Sequence, residues 1–194
     1  MKERTQMNKI ALIAGLAVAA TASADVLLEI DLSVVDQLTI TATTGNSAVS
    51  ASGSNFTGFL LDGLSAGTSG TTGTSVVSAD LSTAANASDG SPSLFIAGGG
   101  TDTGLNIWSF SSDSTVSVTA GSQAFAGAAT WSISSALYAS LTAGATSGNI
   151  YFPADDSGDI AGAELLGTYS VVPAPGALAL LGLGGFAAAG RRRG

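Results

Sequence analysis

Val26-Leu27-Leu28-Glu29-Ile30-Asp31-Leu32 opens the body of the chain, and Leu38-Thr39-Ile40-Thr41-Ala42-Thr43 follows it. In the first stretch Val26, Leu28, Ile30 and Leu32 alternate with Glu29 and Asp31; in the second Leu38, Ile40 and Ala42 alternate with threonines. A period of two sends apolar side chains to one face of an extended chain and polar ones to the other, so both stretches predict half-buried strands. Further short runs of apolar and β-branched residues recur at Phe56–Leu61, Ser75–Leu81, Leu94–Ala97, Leu105–Phe110, Thr115–Thr119, Ala124–Ile133, Ile150–Phe152 and Leu165–Val172. Turn pairs Asp62-Gly63 and Asp89-Gly90 punctuate them. One short helix is predicted at Ala136–Leu141, capped by Ser135. Ser65–Ser75 is almost entirely Gly, Ser and Thr and is expected to be a mobile loop. Many short strands with frequent turns and little helix predict an all-β fold, a single antiparallel β-sandwich resembling a jelly roll.

Charge divides the 194 residues differently. Of the six basic residues, Lys2, Arg4 and Lys9 open the chain and Arg191, Arg192 and Arg193 close it; there is no His and no Cys. Every acid but Glu3 lies in residues 25–172, so that body is purely anionic. No cation is available there to contact phosphate, which argues against nucleic acid and against attraction to anionic lipid. Without cysteine the fold must rest on packing and backbone hydrogen bonds. Residues 25–172 are long enough for one domain with a sizeable core.

Residues 1–24 have the pattern of a secretory signal peptide. The basic start precedes the apolar run Ile10–Ala20, and Ala22-Ser23-Ala24 supplies the small-x-small site that a signal peptidase needs. Cleavage after Ala24 leaves Asp25 as the mature N-terminus. A permanent anchor would need about 20 apolar residues, more than this run offers.

Residues 173–194 form a second signal in three parts. Val171-Val172-Pro173-Ala174-Pro175 is a stiff, extended break. Gly176–Gly190 is uncharged and apolar, and the three arginines follow. As a helix at about 1.5 Å per residue that stretch spans roughly 22 Å, short of a ~30 Å hydrocarbon core but within reach of a locally thinned bilayer. Arginines stay cytoplasmic by the positive-inside rule, which places residues 25–172 outside, in agreement with the N-terminal signal. Taken together, Pro173-Ala174-Pro175, the apolar transmembrane stretch 176–190 and Arg191-Arg192-Arg193 resemble the PEP-CTERM sorting signal of bacteria. Ala174 stands where the name-giving motif has Glu, so this is a Pro-Ala-Pro variant. The resemblance implies recognition by an exosortase, a membrane protease-transpeptidase, a transient stay in the inner membrane, and delivery to the cell surface or an extracellular polysaccharide matrix.

The body itself offers few catalytic side chains. Gly63-Leu64-Ser65-Ala66-Gly67 fits the nucleophile-elbow spacing, but no His or Lys exists there to activate the serine, and a chain this rich in Gly and Ser matches by chance. Gly98-Gly99-Gly100 lacks the Lys-Ser/Thr of a phosphate loop. Glu29, Asp31, Asp36, Asp62, Asp155, Asp156 and Glu164 could in principle supply a glycosidase pair, although strand faces and turns are where solvated acids belong. Asp155-Asp156-Ser157-Gly158-Asp159 gathers three acids in one loop, as calcium would require, without EF-hand spacing. Trp108, Trp131, Tyr138, Tyr151 and Tyr169 could form a sugar-stacking platform or pack inside. Asn55 and Asn86 head N-glycosylation patterns with no evident use in a bacterial host. No catalytic, cofactor or metal residue is assigned. The expectation is a non-enzymatic exported surface or matrix protein, the alternative a carbohydrate-binding module acting on exopolysaccharide.

Overall fold

The computed structural model describes residues 24–53, 58–67, 75–84, 93–95, 103–108 and 115–172. In chain order these form β1 (Val26–Asp31), β2 (Gln37–Ala42), β3 (Ala51–Gly53), β4 (Phe59–Asp62), β5 (Ser75–Ala79), β6 (Ser82–Thr83), β7 (Ser93–Phe95) and β8 (Gly104–Trp108). Then come β9 (Val116–Val118), β10 (Phe125–Ala126), β11 (Ala128–Ser132), α1 (Ser135–Thr142), β12 (Ser147–Phe152), a 3-10 turn (Ser157–Gly162) and β13 (Glu164–Val172). The all-β class holds. Nine strands make one curled sheet in the order β5-β11-β2-β1-β13-β12-β4-β8-β7, and β10-β6 and β3-β9 form two short ribbons.

The sheet departs from the antiparallel expectation at its centre. β1 runs parallel to β13, with Val26 beside Thr168 and Asp31 beside Val172. On its other side β1 pairs antiparallel with β2, Ile30 facing Ile40. Alternation along one strand carries no information about the direction of its partner. A parallel pair also needs a long connection, and here nearly the whole domain supplies it.

A bulge changes the phase of β1 as well. The register with β13 shifts between Val26 and Leu28, leaving Val26 exposed while Leu27 and Leu28 are both buried. An extra residue in a strand turns the next side chain to the opposite face. Beyond it the predicted alternation holds, with Leu28, Ile30, Leu38 and Ile40 inside.

The predicted strand Ala124–Ile133 is two strands, broken at Gly127. That residue has φ 78°, and a Cβ placed there would lie 2.2 Å from the Asp80 carbonyl oxygen, so only glycine fits the corner. The break lets β10 leave the sheet and pair with β6. Phe125 of β10 still meets the core edge-on against Phe59, which stacks on Phe152 with ring centroids 4.2 Å apart. Such aromatic pairs add about 0.5–1.5 kcal/mol each beyond their buried area. Helix α1 begins one residue earlier than predicted. Ser134, not Ser135, is its cap, its hydroxyl accepting from the Leu137 N–H at 3.2 Å. Leu137 and Leu141, one turn apart, pin the helix to the core.

Candidate functional site

Ser65 sits at the start of the predicted mobile loop, yet it is fully buried. Its Oγ lies 2.9 Å from Ser140 Oγ on α1 and accepts the Gly67 N–H. Its carbonyl accepts the Gly104 N–H at the start of β8, beside β4. This part of the segment is therefore a fixed corner, and its serine a structural hydroxyl with another hydroxyl where an elbow would place a base. Residues 68–74 of the loop lie outside the described residues, as do Asn55, Asn86 and Gly98-Gly99-Gly100.

Several of the acids are held by local structure, although one buried Asp36 oxygen has no hydrogen-bond partner. Asp31 Oδ1 accepts the Ser33 N–H at 2.7 Å. One Asp36 oxygen accepts the Ser135 hydroxyl at 2.9 Å. The Asp62 carbonyl accepts the Tyr169 hydroxyl at 2.7 Å. In the acidic loop, Asp156 Oδ1 accepts the Gly158 N–H and caps the 3-10 turn, Asp159 Oδ2 accepts the Asp155 N–H, and Asp155 Oδ1 accepts the Gly58 N–H. Among the described residues no three acids converge on a common point that could hold a metal. The loop's carboxylates are spent on backbone donors, as capping requires.

Burial raises the Asp155 carboxyl above its ordinary 3.8, against the Gly58 hydrogen bond that lowers it, and the neighbouring charges of Asp159 and Asp156 raise it further. A raised carboxyl favours the protonated form in the fold. Its contribution to stability is complete below 3.8 and is lost as pH rises through the shifted value. Asp155→Asn, which keeps an acceptor for Gly58 and removes the charge, is expected to melt higher than the parent at pH 7. The advantage should vanish below pH 3.8, where the parent's carboxyl is also neutral. Thermal melts of both proteins across that range check this; a variant less stable at pH 7 would mean that the charge helps the fold.

Among the described side chains the aromatic platform does not assemble. Trp131 and Tyr169 are fully enclosed in the core. The Tyr169 hydroxyl, aimed at the Asp62 carbonyl, is pushed well above the ordinary tyrosine range by burial and then by the charge of Asp62. Tyr138 packs against the core and donates to the Leu32 carbonyl at 2.9 Å. Tyr151 accepts a hydrogen bond from Asn149 Nδ2. For Trp108 the description covers the backbone of β8, where it pairs with Ser93. What the surface does offer is a groove of about 520 Å³ beside the β3–β9 ribbon, lined by Ser50, Ser52, Ser117, Pro153 and Glu164. Hydroxyls and one carboxylate can hydrogen-bond a neutral polyol but offer an anion no counter-charge. Of these, only Glu164 stands out in the sequence. The serines carry no mark that separates them from the many others.

The expected processing sites fall at the two ends of the central strand pair. Ala22, Pro173, Ala174, Pro175, Arg191, Arg192 and Arg193 lie outside the described residues. Asp25, immediately after the expected cleavage site at Ala24, is built into the fold. Its carbonyl accepts the Thr168 N–H at 2.9 Å and the Thr168 hydroxyl at 3.1 Å, and its carboxylate accepts the Asn46 N–H. At the other end β13 runs to Val172, the residue before Pro173. Among the described residues no helix is long and apolar enough to cross a membrane. No family model matches the chain, and no curated protein and no solved structure matches it.

Proposed function

We propose that this chain is an exported, non-enzymatic protein of a bacterial surface or extracellular matrix, delivered by a PEP-CTERM and exosortase-type system. The observation that carries this is the three-part tail: Pro173-Ala174-Pro175, the apolar stretch 176–190 and Arg191-Arg192-Arg193, opposite an N-terminus with the matching export signal. The body 25–172 is the cargo domain, and its partners are the sorting enzyme, the inner membrane in transit and the exopolysaccharide outside. Supporting the cargo role, the Ser65 hydroxyl and the Asp31 and Asp156 carboxylates are engaged in turns, caps and helix contacts. We also read the domain as a jelly-roll-like sandwich. In support, Val116, Val118 and Phe125 of the ribbons join the same core as Ile30, Ile40 and Leu61 of the sheet.

Mass spectrometry of the delivered protein tests the proposal. The expected polypeptide begins at Asp25 and lacks residues 176–194. A delivered protein that keeps that stretch intact would leave only a simple membrane-anchored protein.

A further inference from the structure

We infer that the turn between β1 and β2, with Val34 and Val35 at its apex, rests in the interfacial layer of the bilayer that holds the tail. The inference depends on the tail being membrane-inserted, as proposed above.

The turn is closed by the Gln37 N–H donating to the Val34 carbonyl at 3.2 Å, with Asp36 at φ 59° in its third position. Asp there is ordinary, because short polar side chains tolerate the left-handed region. Valine at the apex is not, since turn tips normally carry Gly, Asn, Asp, Ser or Pro. Here Val34 is 53% and Val35 69% exposed. The apex cannot fold back to hide them. The Tyr138 hydroxyl holds the Leu32 carbonyl, the Ser135 hydroxyl holds the Asp36 carboxylate and the Ile133 N–H holds the Asp36 carbonyl.

The parallel pairing of β1 with β13 decides where this apex points. Asp31 lies beside Val172, so the turn and the exit of β13 share one end of the domain. Val172 is itself 40% exposed. Only Pro173, Ala174 and Pro175 separate it from the apolar stretch beginning at Gly176. The four steps from Val172 to Gly176 reach at most about 14 Å when extended. An inserted tail therefore holds Val172, and the valine turn beside it, at headgroup depth. Tethering makes the contact intramolecular, so even a small apolar surface is enough to populate it. Asp31 and Asp36 flank the turn, Asp62 lies near the exit of β13 beside Gly148 and Tyr169, and the described residues include no Lys or Arg. The partner is accordingly a zwitterionic lipid surface entered by apolar contact, and anionic lipid should add nothing.

The chain has no cysteine, so a single introduced thiol can carry a polarity-sensitive fluorophore such as NBD. Val35→Cys is labelled in the full chain and reconstituted into phosphatidylcholine–phosphatidylethanolamine vesicles. Glu164→Cys, at the far end of β13 and about 26 Å from Val172 along the strand, is the reference. The expected result is a blue-shifted emission at position 35, quenched by a lipid-borne quencher, with the emission at 164 as in buffer. Resistance to alkaline carbonate extraction reports tail insertion separately. A carbonate-resistant chain with no shift at position 35, or with equal shifts at both positions, overturns the inference and leaves the tail reading standing. A chain that carbonate extracts overturns both.

Discussion

Trp131→Ala is expected to unmake much of the fold rather than remove a sugar-binding surface. Trp131 is 0% exposed on β11, with Leu38 of β2 opposite on one side and β5 on the other. Removing a fully buried tryptophan loses its transfer energy and leaves a cavity that close-packed neighbours fill poorly. The usual cost is about 3–5 kcal/mol. Against a total stability of about 5–15 kcal/mol for a domain of this class, that is a large share. For a domain of this size it lowers the melting temperature by roughly 10 °C or more. Circular dichroism melts of residues 25–172 with and without the substitution measure it. An unchanged melt would mean that the ring is not a core element and would reopen the stacking-platform reading.

The second large effect concerns delivery. An inert anchor needs only apolarity and terminal positive charge, whereas a sorting enzyme must also recognise the break ahead of the apolar stretch. Replacing Pro173 and Pro175 together with Ala leaves Gly176–Gly190 and Arg191–Arg193 untouched, so insertion should proceed as before. Processing should stop, and full-length protein should accumulate in the inner membrane. Fractionation followed by immunoblotting of the two forms decides it. Normal release of the double variant would show that the prolines are not read.

The all-β class was legible from period-two alternation, which tracks burial closely at Leu28, Ile30, Leu38 and Ile40. What alternation cannot show is which strands become neighbours. The parallel β1–β13 pair joins residues from opposite ends of the domain, and no local pattern encodes that distance. Nor could it foresee the corner at Gly127, which depends on the approach of the Asp80 carbonyl. Among candidate residues, Trp131 and Tyr169 are ambiguous in sequence because a buried ring and a stacking ring have the same chemistry. Their neighbours in space, not in sequence, decide between the two. Ser65 shows the same limit: its buried partner, Ser140, belongs to a helix far along the chain. The groove serines could not be singled out because nothing local distinguishes them.

Polypeptides emerge from their N-terminus, and among the described residues the first strand waits for the last. β1 has β2 on one side early, but its other edge stays empty until Glu164–Val172 arrives. A chain that stops short of that segment keeps an open backbone edge in the middle of its sheet, where association and proteolysis begin. Closure of the sheet thus reports that synthesis has passed Val172. If Pro173-Ala174-Pro175 is the sorting motif proposed above, the sheet closes immediately before it.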